Sequence, residues 1–575
     1  MSIFIEKVRI YNFRSLKDIE ITLSPNVTLL VGTNNSGKTT LLQALNCALN
    51  SERIFISQND LFIDQNGSTL EDKIINIDVK IIPHADEKEF DQLWINEFGS
   101  DITNGINGNF FAFRAQIDFN SSTEKAQIKR YVIRDWENNI IDEERKITAN
   151  LKNIPFHFID AQRDLQEDSL QRTSHFGRLA EKLEYDESQK DALEKALTKL
   201  NNDAIEQSEV LSHLCNSLQD LNRTVKTDKA NIEITPFPKK VRDLHKGMKI
   251  HFQDINSDAF GLEYHGMGTR SWASLLAFKA KISWEEQEKE KENEVFFPLL
   301  GLEEPEAHLH PNAQRQVYRQ LSGMIGQKII STHSPYIAAL AGLEEIRSFY
   351  KEKSYTEVNS LDINKLNIDE IRKVKREILL REGELLFSRA IVLYEGETEA
   401  QALPIFAREY WKRELFEMGI TFISVSGNNY MPFVLLAEMI KIPWFIFSDY
   451  DTKNVKGCIN NVENASQEES FENIIKLEDS IEKYLISESY QQELKKGINA
   501  WYLLTTTEDT DQRQIIAGSN KINSYSDESL ENFLLRDDSK VRYPAYWAEE
   551  IIKLPKPRNI PPKIRELFDM IDNTI

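Results

Sequence analysis

Short apolar runs separated by polar turns dominate the start of the chain. Residues 1–50 contain two strand-like runs, "FIEKVRIYNF" and "VTLLVG", then a glycine-rich segment, "TNNSGKTT", and an apolar helical stretch, "LLQALNCALN". Between about residues 70 and 160 apolar and polar positions alternate, as in "KIINIDVKII" and "FFAFRAQIDF", which is typical of an antiparallel sheet. The pattern therefore predicts a strand–loop–helix unit followed by a β-rich region.

The pattern becomes helical after about residue 165. Apolar positions recur there every three or four residues up to about residue 230, which predicts a helical insertion able to pair with itself or with a partner. Strand and helix patterns return from about 248 to 348, and a second α/β unit begins near 386 after a polar, lysine-rich linker. These changes divide the chain into the segments 1–165, 166–245, 246–350, 351–385 and 386–575.

The bulk properties narrow the class of protein. A chain of 575 residues is too long for one core, so several domains are expected. No segment approaches the roughly 20 apolar residues of a membrane span, so we expect no membrane contact and a cytoplasmic location. The widely spaced Cys47, Cys215 and Cys458 offer neither a disulfide framework nor a zinc pattern. The net charge of −22 argues against a basic DNA-coating protein, so nucleic acid would need a local basic groove or bound metal ions.

The segment "GTNNSGKTT" matches the phosphate-loop pattern G-x-x-x-x-G-K-[ST]. It follows an apolar run and precedes a helical pattern, which is the context that the motif requires. Its glycines let backbone N–H groups curl around phosphate oxygens, Lys38 adds a positive charge, and the hydroxyl of Thr39 can hold Mg²⁺. The predicted nucleotide-binding residues of this loop are Gly32, Asn35, Gly37, Lys38, Thr39 and Thr40.

A pair of carboxylates follows a later strand pattern, in "FFPLLGLEEPEAHLHP". Hydrolysis of a bound nucleotide needs one carboxylate for the metal and another to position water. Glu303 is therefore predicted to orient Mg²⁺ through water, and Glu304 to polarise the attacking water. Two further segments favour this interpretation over that of two solvated glutamates. "HGMGTRSW" is a glycine-rich turn that opens a helix, and His333 in "KIISTHSP" follows a strand and could touch the γ-phosphate.

Together these segments resemble the ABC-type ATPases of the SMC and RecF group. The match includes "NFRSL", where Arg14 occupies the position of a nucleotide-contacting arginine in that group. The resemblance implies a D-loop from Glu306 to His310 and a switch histidine at His333. It also implies a Q-loop residue, for which we predict Gln162 in "FIDAQRDL" because this segment precedes the helical insertion.

The resemblance also indicates how the ATP site would be completed. Glu303 stands where most ABC proteins carry Asp. ATPases of this type sandwich ATP and Mg²⁺ between two heads, so that the signature motif of one head contacts the phosphate in the other. The signature motif implied here is 266–271, with the residues Gly266, Gly268 and Ser271. A homodimer, or a higher oligomer such as a tetramer, is therefore implied.

A second set of acidic residues follows strand patterns in the last third of the chain. "AIVLYEGETEAQALP" places Glu395, Glu397 and Glu399 after an apolar run, where like charges repel unless a cation or solvent relieves them. Taken alone, this segment could be a solvated helix start, where acids are favourable. About 50 residues later, "IPWFIFSDYDTKN" ends in Asp449 and Asp451, which point to the same side of an extended segment.

The segment "DESLENFLL" adds Ser529 and Glu531 to this set. A parallel sheet displays residues at the carboxyl ends of its strands, where binding sites collect. Four or five convergent oxygens suit hard divalent cations such as Mg²⁺ or Mn²⁺. The sequence therefore predicts a cation site in the second α/β unit.

The order E-G-x-x-E, a glycine loop around Gly427 and D-x-D is similar to the Toprim domain of topoisomerases, primases and certain nucleases. An ABC-type ATPase followed by Toprim resembles the OLD (overcoming lysogenization defect) family of nucleases, and within it the GajA nucleases of the Gabija anti-phage system. The metal ligands that the resemblance implies are Glu395, Glu399, Asp449, Asp451 and Glu531, with Ser529 assisting. A lysine should stabilise charge on the scissile phosphate, and we favour Lys563 over Lys556.

The predicted fold class is α/β multidomain. An ABC-type ATPase head would occupy 1–165 and 246–350, with a helical dimerisation insertion in 166–245, a linker in 351–385 and a Toprim domain in 386–575. The resemblance implies an ATP-regulated endonuclease with two Mg²⁺ or Mn²⁺ ions, acting on double-stranded DNA in anti-phage defence, with a UvrD-like helicase (GajB) as partner. Two alternatives stay open: an ATP-driven DNA sensor or scaffold of the SMC and RecF type without nuclease activity, and a Toprim primase or topoisomerase-like enzyme.

Overall fold

The structure is a computed structural model of the 575-residue chain. The residues that it describes are 3–50, 56–64, 74–84, 87–106, 108–119, 126–147, 149, 151–159, 187–218, 231–235, 249–253, 260–261, 265–352, 354–375, 383–425, 429–449, 453–465, 473–477, 548–549, 551–553, 556 and 559–575. The chain forms two compact units, Met1–Val358 and Asn359–Ile575. The finer segment boundaries drawn from the sequence stay predictions.

The first unit combines many strands with fewer helices. Its strands, of which the last crosses the boundary between the units, are β1 (Ile3–Phe13), β2 (Leu16–Thr22), β3 (Val27–Gly32), β4 (Ile74–Pro83), β5 (Ile102–Gly105), β6 (Gly108–Phe119), β7 (Ala126–Asp135), β8 (Ile140–Lys146), β9 (Phe156–Ile159), β10 (Asn231–Thr235), β11 (Lys249–Gln253), β12 (Phe260–Gly261), β13 (Leu299–Glu303), β14 (Gln327–Ser331), β15 (Ile346–Glu352) and β16 (Tyr355–Ser360). Its α-helices are α1 (Lys38–Leu49), α2 (Gln92–Phe98), α3 (Glu187–Gln207), α4 (Glu209–Leu218), α5 (Met267–Lys291), α6 (Pro311–Ser322) and α7 (Pro335–Ala338). Short 3-10 turns lie at Gln58–Asp60, Gly99–Asp101, Leu151–Asn153 and Leu343–Glu345.

An antiparallel sheet forms one layer of the first unit. Its strand order is β2-β1-β4-β6-β7-β8, with β5 paired to β6. Along β1 buried and half-buried side chains alternate, so that Val8 and Ile10 face the core while Lys7 and Arg9 face away from it. The antiparallel sheet predicted for residues 70–160 is therefore present, and the first two strands of the chain join it.

A second sheet of the first unit has the order β16-β15-β3-β14-β13-β9. Strand β3 pairs in parallel with β14 and β15, and β13 pairs in parallel with β14 and β9. Strands β3 and β14 are buried along their whole length, as expected for a parallel sheet that is covered on both faces. The carboxyl ends of β3, β13 and β14 therefore lie at one edge, where ligand sites of open α/β sheets collect.

Helix α1 packs between the two sheets. Its side chains Leu41, Leu42 and Leu45 share one cluster of buried residues with Val8 of β1 and Ile329 of β14. Burying a leucine side chain of this kind contributes about 1.5–3 kcal/mol relative to leaving it exposed. The glycine-rich loop before α1 is thus anchored at its helical end in the core.

Two helices of the predicted insertion lie near the long helix α5. Helix α3 contacts α4, and α4 packs along α5. The segment 166–245 also contains β10, which pairs with β11 in a small antiparallel sheet that includes β12. The sequence pattern does not predict β10, because the five residues of "NIEIT" give too short an alternation to distinguish a strand from a loop.

Residues 351–385, predicted to be a linker, contain regular structure. Strand β16 lies beside β15 at the edge of the parallel sheet, and its Thr356 is buried and donates a hydrogen bond to Ser15 Oγ at 3.0 Å. The strand sequence "YTEVNS" is polar at most positions. The buried Thr356 makes a polar contact with a residue far away in sequence, so the hydrophobic pattern does not reveal strand β16.

The second unit alternates strands and helices. Its strands are β17 (Ala390–Tyr394), β18 (Ile420–Ser424), β19 (Trp444–Asp449) and β20 (Ile474–Leu477). Its α-helices are α8 (Ile368–Lys373), α9 (Glu397–Trp411), α10 (Leu415–Met418), α11 (Met431–Ile440), α12 (Lys453–Ala465) and α13 (Pro562–Thr574), with 3-10 turns at Ile363–Lys365 and Gly383–Phe387. Across the described ranges of both units, no helix combines the length and the apolarity that a membrane crossing requires.

The sheet of the second unit is parallel, with the order β18-β17-β19-β20. Its core packs Phe406 of α9 and Phe568 of α13 with Phe445 and Phe447 of β19. Strand β17 is buried along its whole length, as expected for a central strand with helices on both faces. The carboxyl ends of β17 and β19 are neighbours, and they form the edge at which the predicted acidic residues begin.

Candidate active sites

The phosphate loop joins β3 to α1, and its backbone is left-handed at three positions. The φ angle is +141° at Gly32, +60° at Asn35 and +103° at Gly37. A Cβ atom at Gly32 would lie 2.1 Å from the carbonyl oxygen of Phe349, and one at Gly37 would lie 2.7 Å from Thr356 Oγ1. Both positions therefore need glycine, as expected of a loop whose backbone curls closely around a phosphate.

The ammonium of Lys38 lies inside this loop. Its Nζ donates hydrogen bonds to the carbonyl oxygens of Gly32 at 2.9 Å and Thr33 at 2.8 Å. Burial lowers the pKa of the Lys38 ammonium to about 8, while the carboxylates of Glu304, Glu303 and Glu306, at and just after the end of β13, act in the opposite direction. A phosphate entering the loop would offer this ammonium charged acceptors in place of neutral carbonyls, and charge-assisted hydrogen bonds are the stronger kind.

The hydroxyl of Thr39 and the carboxylate of Glu303 are in direct contact. Thr39 Oγ1 donates a hydrogen bond to Glu303 Oε1, and Glu303 is the last residue of β13. Hydroxyl and carboxylate oxygens are the donors that Mg²⁺ prefers, so this pair fits the cation predicted here. Thr40, which follows in the first turn of α1, is half-buried.

Glu304 and His333 face each other across the ends of β13 and β14. Glu304 has a left-handed backbone, with φ of +43°, and its N–H donates to the carbonyl oxygen of Ser331 at 2.9 Å. His333 Nε2 lies 3.8 Å from Glu304 Oε1. Burial and the charge of Lys38 lower the pKa of His333, while Glu304 opposes them. The imidazole is therefore favoured in its neutral form at neutral pH.

The predicted signature residues lie at the start of α5. Gly266 precedes this helix in an extended conformation, and Ser271 is buried within it. A Cβ atom at Gly268 would lie 2.6 Å from the carbonyl oxygen of His308. The start of α5 therefore rests directly on the backbone of the D-loop, the segment from Glu306 to His310.

Arg14 lies beside α1 in the turn between β1 and β2. Its backbone is left-handed, with φ of +52°, and its N–H donates to the carbonyl oxygen of Asp60 at 2.8 Å. Its Nε donates to Asp60 Oδ1 at 2.7 Å, and its guanidinium also donates to Gln43 of α1. Asp60 thus holds both the backbone and the side chain of the arginine predicted to contact nucleotide.

Two of the predicted metal ligands flank the start of α9. Glu395 directly follows β17, and Ser424 Oγ at the end of β18 donates to its carbonyl oxygen at 3.3 Å. Glu399 lies in the first turn of α9 and is only 2% exposed. A Cβ atom at Gly396 would lie 3.1 Å from Glu399 Oε2, so the buried carboxylate turns back over the helix start.

Asp449 is the last residue of β19, which pairs with β17 through Tyr394 and Phe447. Because the two strands are parallel neighbours, the backbones at Glu395 and Asp449 lie side by side at one edge of the sheet. Below this edge the hydroxyl of Tyr430 donates to Ser448 Oγ at 2.9 Å, and both residues are buried. This hydrogen bond ties the start of α11 to the end of β19.

Several predicted residues lie outside what the structure describes. They are Gln162, Gly427, Asp451, Ser529 and Glu531, and for Glu397 and Asp449 the backbone alone is described. Within the described ranges no group of three or more His, Cys, Asp or Glu side chains is close enough to hold a metal ion. The two described carboxylates at the start of α9 are oxygen donors of the type that Mg²⁺ and Mn²⁺ take.

Lys563 is the second residue of α13 and is partly exposed, with 45% of its side chain accessible. Its Nζ donates to Glu566 Oε2 on the same helix at 2.7 Å. The adjoining face of α13 buries Ile564, Leu567 and Phe568 in the core of the second unit. Lys556 is exposed as well. The choice of Lys563 over Lys556 stays a prediction.

Two models of known protein families match the chain, one in each unit. A family model described as "AAA ATPase domain" matches residues 3–338, more than half of the 575 residues. A second model, "Overcoming lysogenization defect protein-like, TOPRIM domain", matches residues 386–451. The chain belongs to the AAA ATPase domain family and carries an OLD-like TOPRIM domain. The predicted architecture, an ATPase head followed by Toprim in the manner of the OLD family, is confirmed.

Three relatives named as nucleases match most of the chain. "Endonuclease GajA" from Bacillus cereus is 22% identical and covers 78% of this chain and 76% of its own. "Old nuclease" from Escherichia phage P2 is 26% identical and covers 75% of this chain and 74% of its own. "OLD nuclease" from Thermus scotoductus is 26% identical and covers 68% of this chain and 71% of its own. The predicted resemblance to OLD and GajA proteins is thereby confirmed.

Several residues of the two sites were not predicted from the sequence. They are Gln43, Asp60, Tyr430 and Ser448. Asp60 had a local signal, because it closes an S-x-x-D capping box that begins at Ser57. Its contact with Arg14 spans 46 residues, and such long-range contacts leave no local pattern. The match of the OLD-like TOPRIM model ends before Ser529, Glu531 and Lys563, so these three depend on the sequence resemblance alone.

Proposed function

We propose that this chain is an ATP-regulated, divalent-metal-dependent endonuclease that cleaves double-stranded DNA in anti-phage defence. The observation that supports the nuclease best is the direct pairing of β17 with β19. It places the backbones of Glu395 and Asp449 at one edge of the sheet, with the buried carboxylate of Glu399 at the adjoining helix start. Few structural roles need several acids at one point, because their repulsion is unfavourable without a cation.

The names of the relatives support the same activity. One is named an endonuclease, and two are named nucleases. The TOPRIM match spans the segment that contains Glu395, Glu399, Asp449 and Asp451. A nuclease is therefore favoured over the two alternatives that the sequence left open, a DNA sensor or scaffold and a primase or topoisomerase-like enzyme.

In the proposed nuclease site each residue has one task. The residues that would hold the cations are Glu395, Glu399, Asp449, Asp451 and Glu531, with Ser529 assisting. Two bound divalent cations supply activation of water and stabilisation of the leaving oxygen in sites of this kind. The charge of Lys563 would stabilise the scissile phosphate. Cations at this edge would also offset local negative charge, so that a chain with a net charge of −22 can admit DNA.

In the proposed ATP site the phosphate loop would bind the nucleotide. Lys38 would contact the phosphates, Thr39 would hold Mg²⁺ with its hydroxyl, Glu303 would orient this ion through water, and Glu304 would polarise the attacking water. The contact between Thr39 and Glu303 supports this arrangement. His333 would sense the γ-phosphate from the end of β14. The signature residues of a second copy would complete the site, so we propose that the active form is a homodimer or a tetramer. ATP binding would then regulate DNA cleavage in the other unit.

The anti-phage role and the helicase partner extend the proposal to the cell. They are supported by the similarity to a protein named "Endonuclease GajA" and by the resemblance of the sequence to the GajA nucleases of the Gabija anti-phage system. Cells that carry this chain with a UvrD-like helicase should resist phage infection, and the variant Glu399→Gln should remove that resistance. Equal plaque counts for the wild type and this variant would contradict the defence role of the nuclease.

Cleavage assays with the purified full chain test the proposed function. Supercoiled plasmid and short duplexes would be incubated with Mg²⁺, with Mn²⁺ or with EDTA. Glu399→Gln should lower the cleavage rate at least about tenfold, because it removes a buried ligand of the cations. Glu397→Gln is the matched control, since Glu397 lies between the predicted ligands and should leave cleavage unchanged. Cleavage that survives Glu399→Gln or EDTA would favour the sensor or scaffold, and a trapped covalent protein–DNA adduct would favour a topoisomerase-like enzyme.

The same assays include an arm with ATP and the variant Lys38→Ala. ATP should change the cleavage rate of the wild type and leave the rate of Lys38→Ala unaltered, because the variant lacks the ammonium that lies within the phosphate loop. Rates that are identical with and without ATP in the wild type would remove regulation from the proposal and leave the nuclease intact.

A further inference from the structure

Glu306 is a buried acid in the loop that follows β13, and only 8% of it is exposed. Its Oε1 accepts hydrogen bonds from the hydroxyl of Thr332 at 2.6 Å and from the backbone N–H of His333 at 2.8 Å. A single oxygen therefore holds two consecutive residues of the loop that follows β14. One of them is the histidine that faces Glu304.

The loop from Thr332 to Ser334 is fixed further by its own side chains. Thr332 Oγ1 accepts a hydrogen bond from the N–H of Ser334 at 2.9 Å. Ser334 Oγ donates to Gln314 Oε1 of α6 at 2.6 Å and accepts from the N–H of Ile337 of α7 at 3.1 Å. This network meets the D-loop at two points: the Glu306 carboxylate, and the carbonyl oxygen of Leu309, which accepts a hydrogen bond from Gln314 Nε2 at 2.8 Å.

The other side of the D-loop carries the signature helix. The carbonyl oxygen of His308 would lie 2.6 Å from a Cβ atom at Gly268, so no side chain fits between them. The N–H of Leu309 donates back to the carbonyl oxygen of Glu306 at 2.9 Å. A tight, hydrogen-bonded turn thus connects the start of α5 to the carboxylate that holds the His333 loop.

We propose that Glu306 is a positioning residue of the ATP site, which sets the place of His333 relative to Glu304 and couples the signature helix to recognition of the γ-phosphate. This inference rests on the proposed ATP site. Glu306 Oε2 is buried and accepts no hydrogen bond within the described part of the chain, which is energetically unfavourable. A positioning role explains why the fold retains this carboxylate. Burial also raises the pKa of the Glu306 carboxyl, and the charge of Glu304 acts in the same direction, against the two hydrogen bonds to Oε1.

Nucleotide affinities of the full chain test this role, with ATP and ADP measured separately by calorimetry in Mg²⁺. If Glu306 positions the γ-phosphate contact, Glu306→Ala should weaken ATP binding about tenfold and leave ADP binding within about twofold. His333→Ala should have a similar effect. The double variant should lose no more than either single variant, since both changes remove one interaction. Glu306→Gln keeps an acceptor oxygen and should retain most of the preference for ATP.

The controls separate this inference from the proposed function. Thr332→Val removes one donor to Glu306 without truncating the acid, and it should reproduce part of the effect even if Glu306→Ala folds poorly. Equal losses for ATP and ADP, additive losses in the double variant, or no loss in Glu306→Ala and Thr332→Val would each overturn the role of Glu306. A wild type that binds neither nucleotide, or binds both as weakly as Lys38→Ala does, would overturn the proposed ATP site and the inference together.

Discussion

Close backbone contacts define the ATP site at the scale of single residues. At Gly32 and Gly268 the atom that a Cβ would meet is a carbonyl oxygen, of Phe349 and His308 respectively. A carbonyl oxygen cannot rotate away as the end of a flexible side chain can, so a substitution forces two backbone segments apart. These contacts join the phosphate loop to β15 and the signature helix to the D-loop. Both contacts therefore need glycine, because the absence of a Cβ atom lets the two backbone segments come this close.

The two signature glycines provide a matched pair for testing this point. Gly268→Ala should lower the unfolding free energy by about 1–3 kcal/mol, because the added methyl group overlaps the carbonyl oxygen of His308. Gly266→Ala is the control: its φ is −60°, and a Cβ there meets no atom of the described residues within 4 Å, so its stability should change by less than about 0.5 kcal/mol. Urea denaturation of the full chain measures both values. Equal stabilities for the two variants would show that α5 does not rest on the D-loop.

At the scale of elements, local patterns predicted the parts of the fold that depend on local chemistry. The strand–loop–helix unit of β3 and α1 follows from a buried run, glycines and a helical pattern, and the structure has it where the sequence predicts it. Strand β10 and strand β16 were missed, because the first has only five residues and the second is mostly polar. For the candidate ATP site, local motifs in the sequence point to residues such as Lys38 and Glu303, whose roles stay predictions. The contact of Asp60 with Arg14 was missed, because these two residues are distant in sequence.

A hydrogen bond between elements supports the edge that carries the predicted nuclease site. Tyr430→Phe removes the donor to Ser448 Oγ and keeps the ring, so it should lower the stability of the second unit by about 0.5–1.5 kcal/mol. Because Ser448 directly precedes Asp449, we also expect slower DNA cleavage with unchanged ATP affinity. Ser448→Ala should match this effect, and the double variant should add little to either. A cleavage rate equal to that of the wild type would contradict a role for this hydrogen bond in placing the carboxylates.

At the scale of the whole molecule, the net charge of −22 and the proposed DNA substrate have to be reconciled. A polyanion is admitted where bound cations or local basic groups offset the acids, and the acidic edge of the second unit is where cations would gather. In the proposed ATP site of the first unit, backbone N–H groups and the ammonium of Lys38 would bind phosphate instead. Cation-dependent DNA chemistry is thus proposed for one unit and nucleotide recognition for the other.

Anomalous diffraction at the manganese edge, from crystals of the full chain grown with Mn²⁺, tests the central claim most directly. Two peaks about 3.5–4 Å apart are expected at the carboxyl ends of β17 and β19, coordinated by Glu395, Glu399, Asp449, Asp451 and Glu531. Absence of a peak at this edge, or a Glu531 carboxylate too far from Glu395 and Asp449 to share a cation, would contradict it.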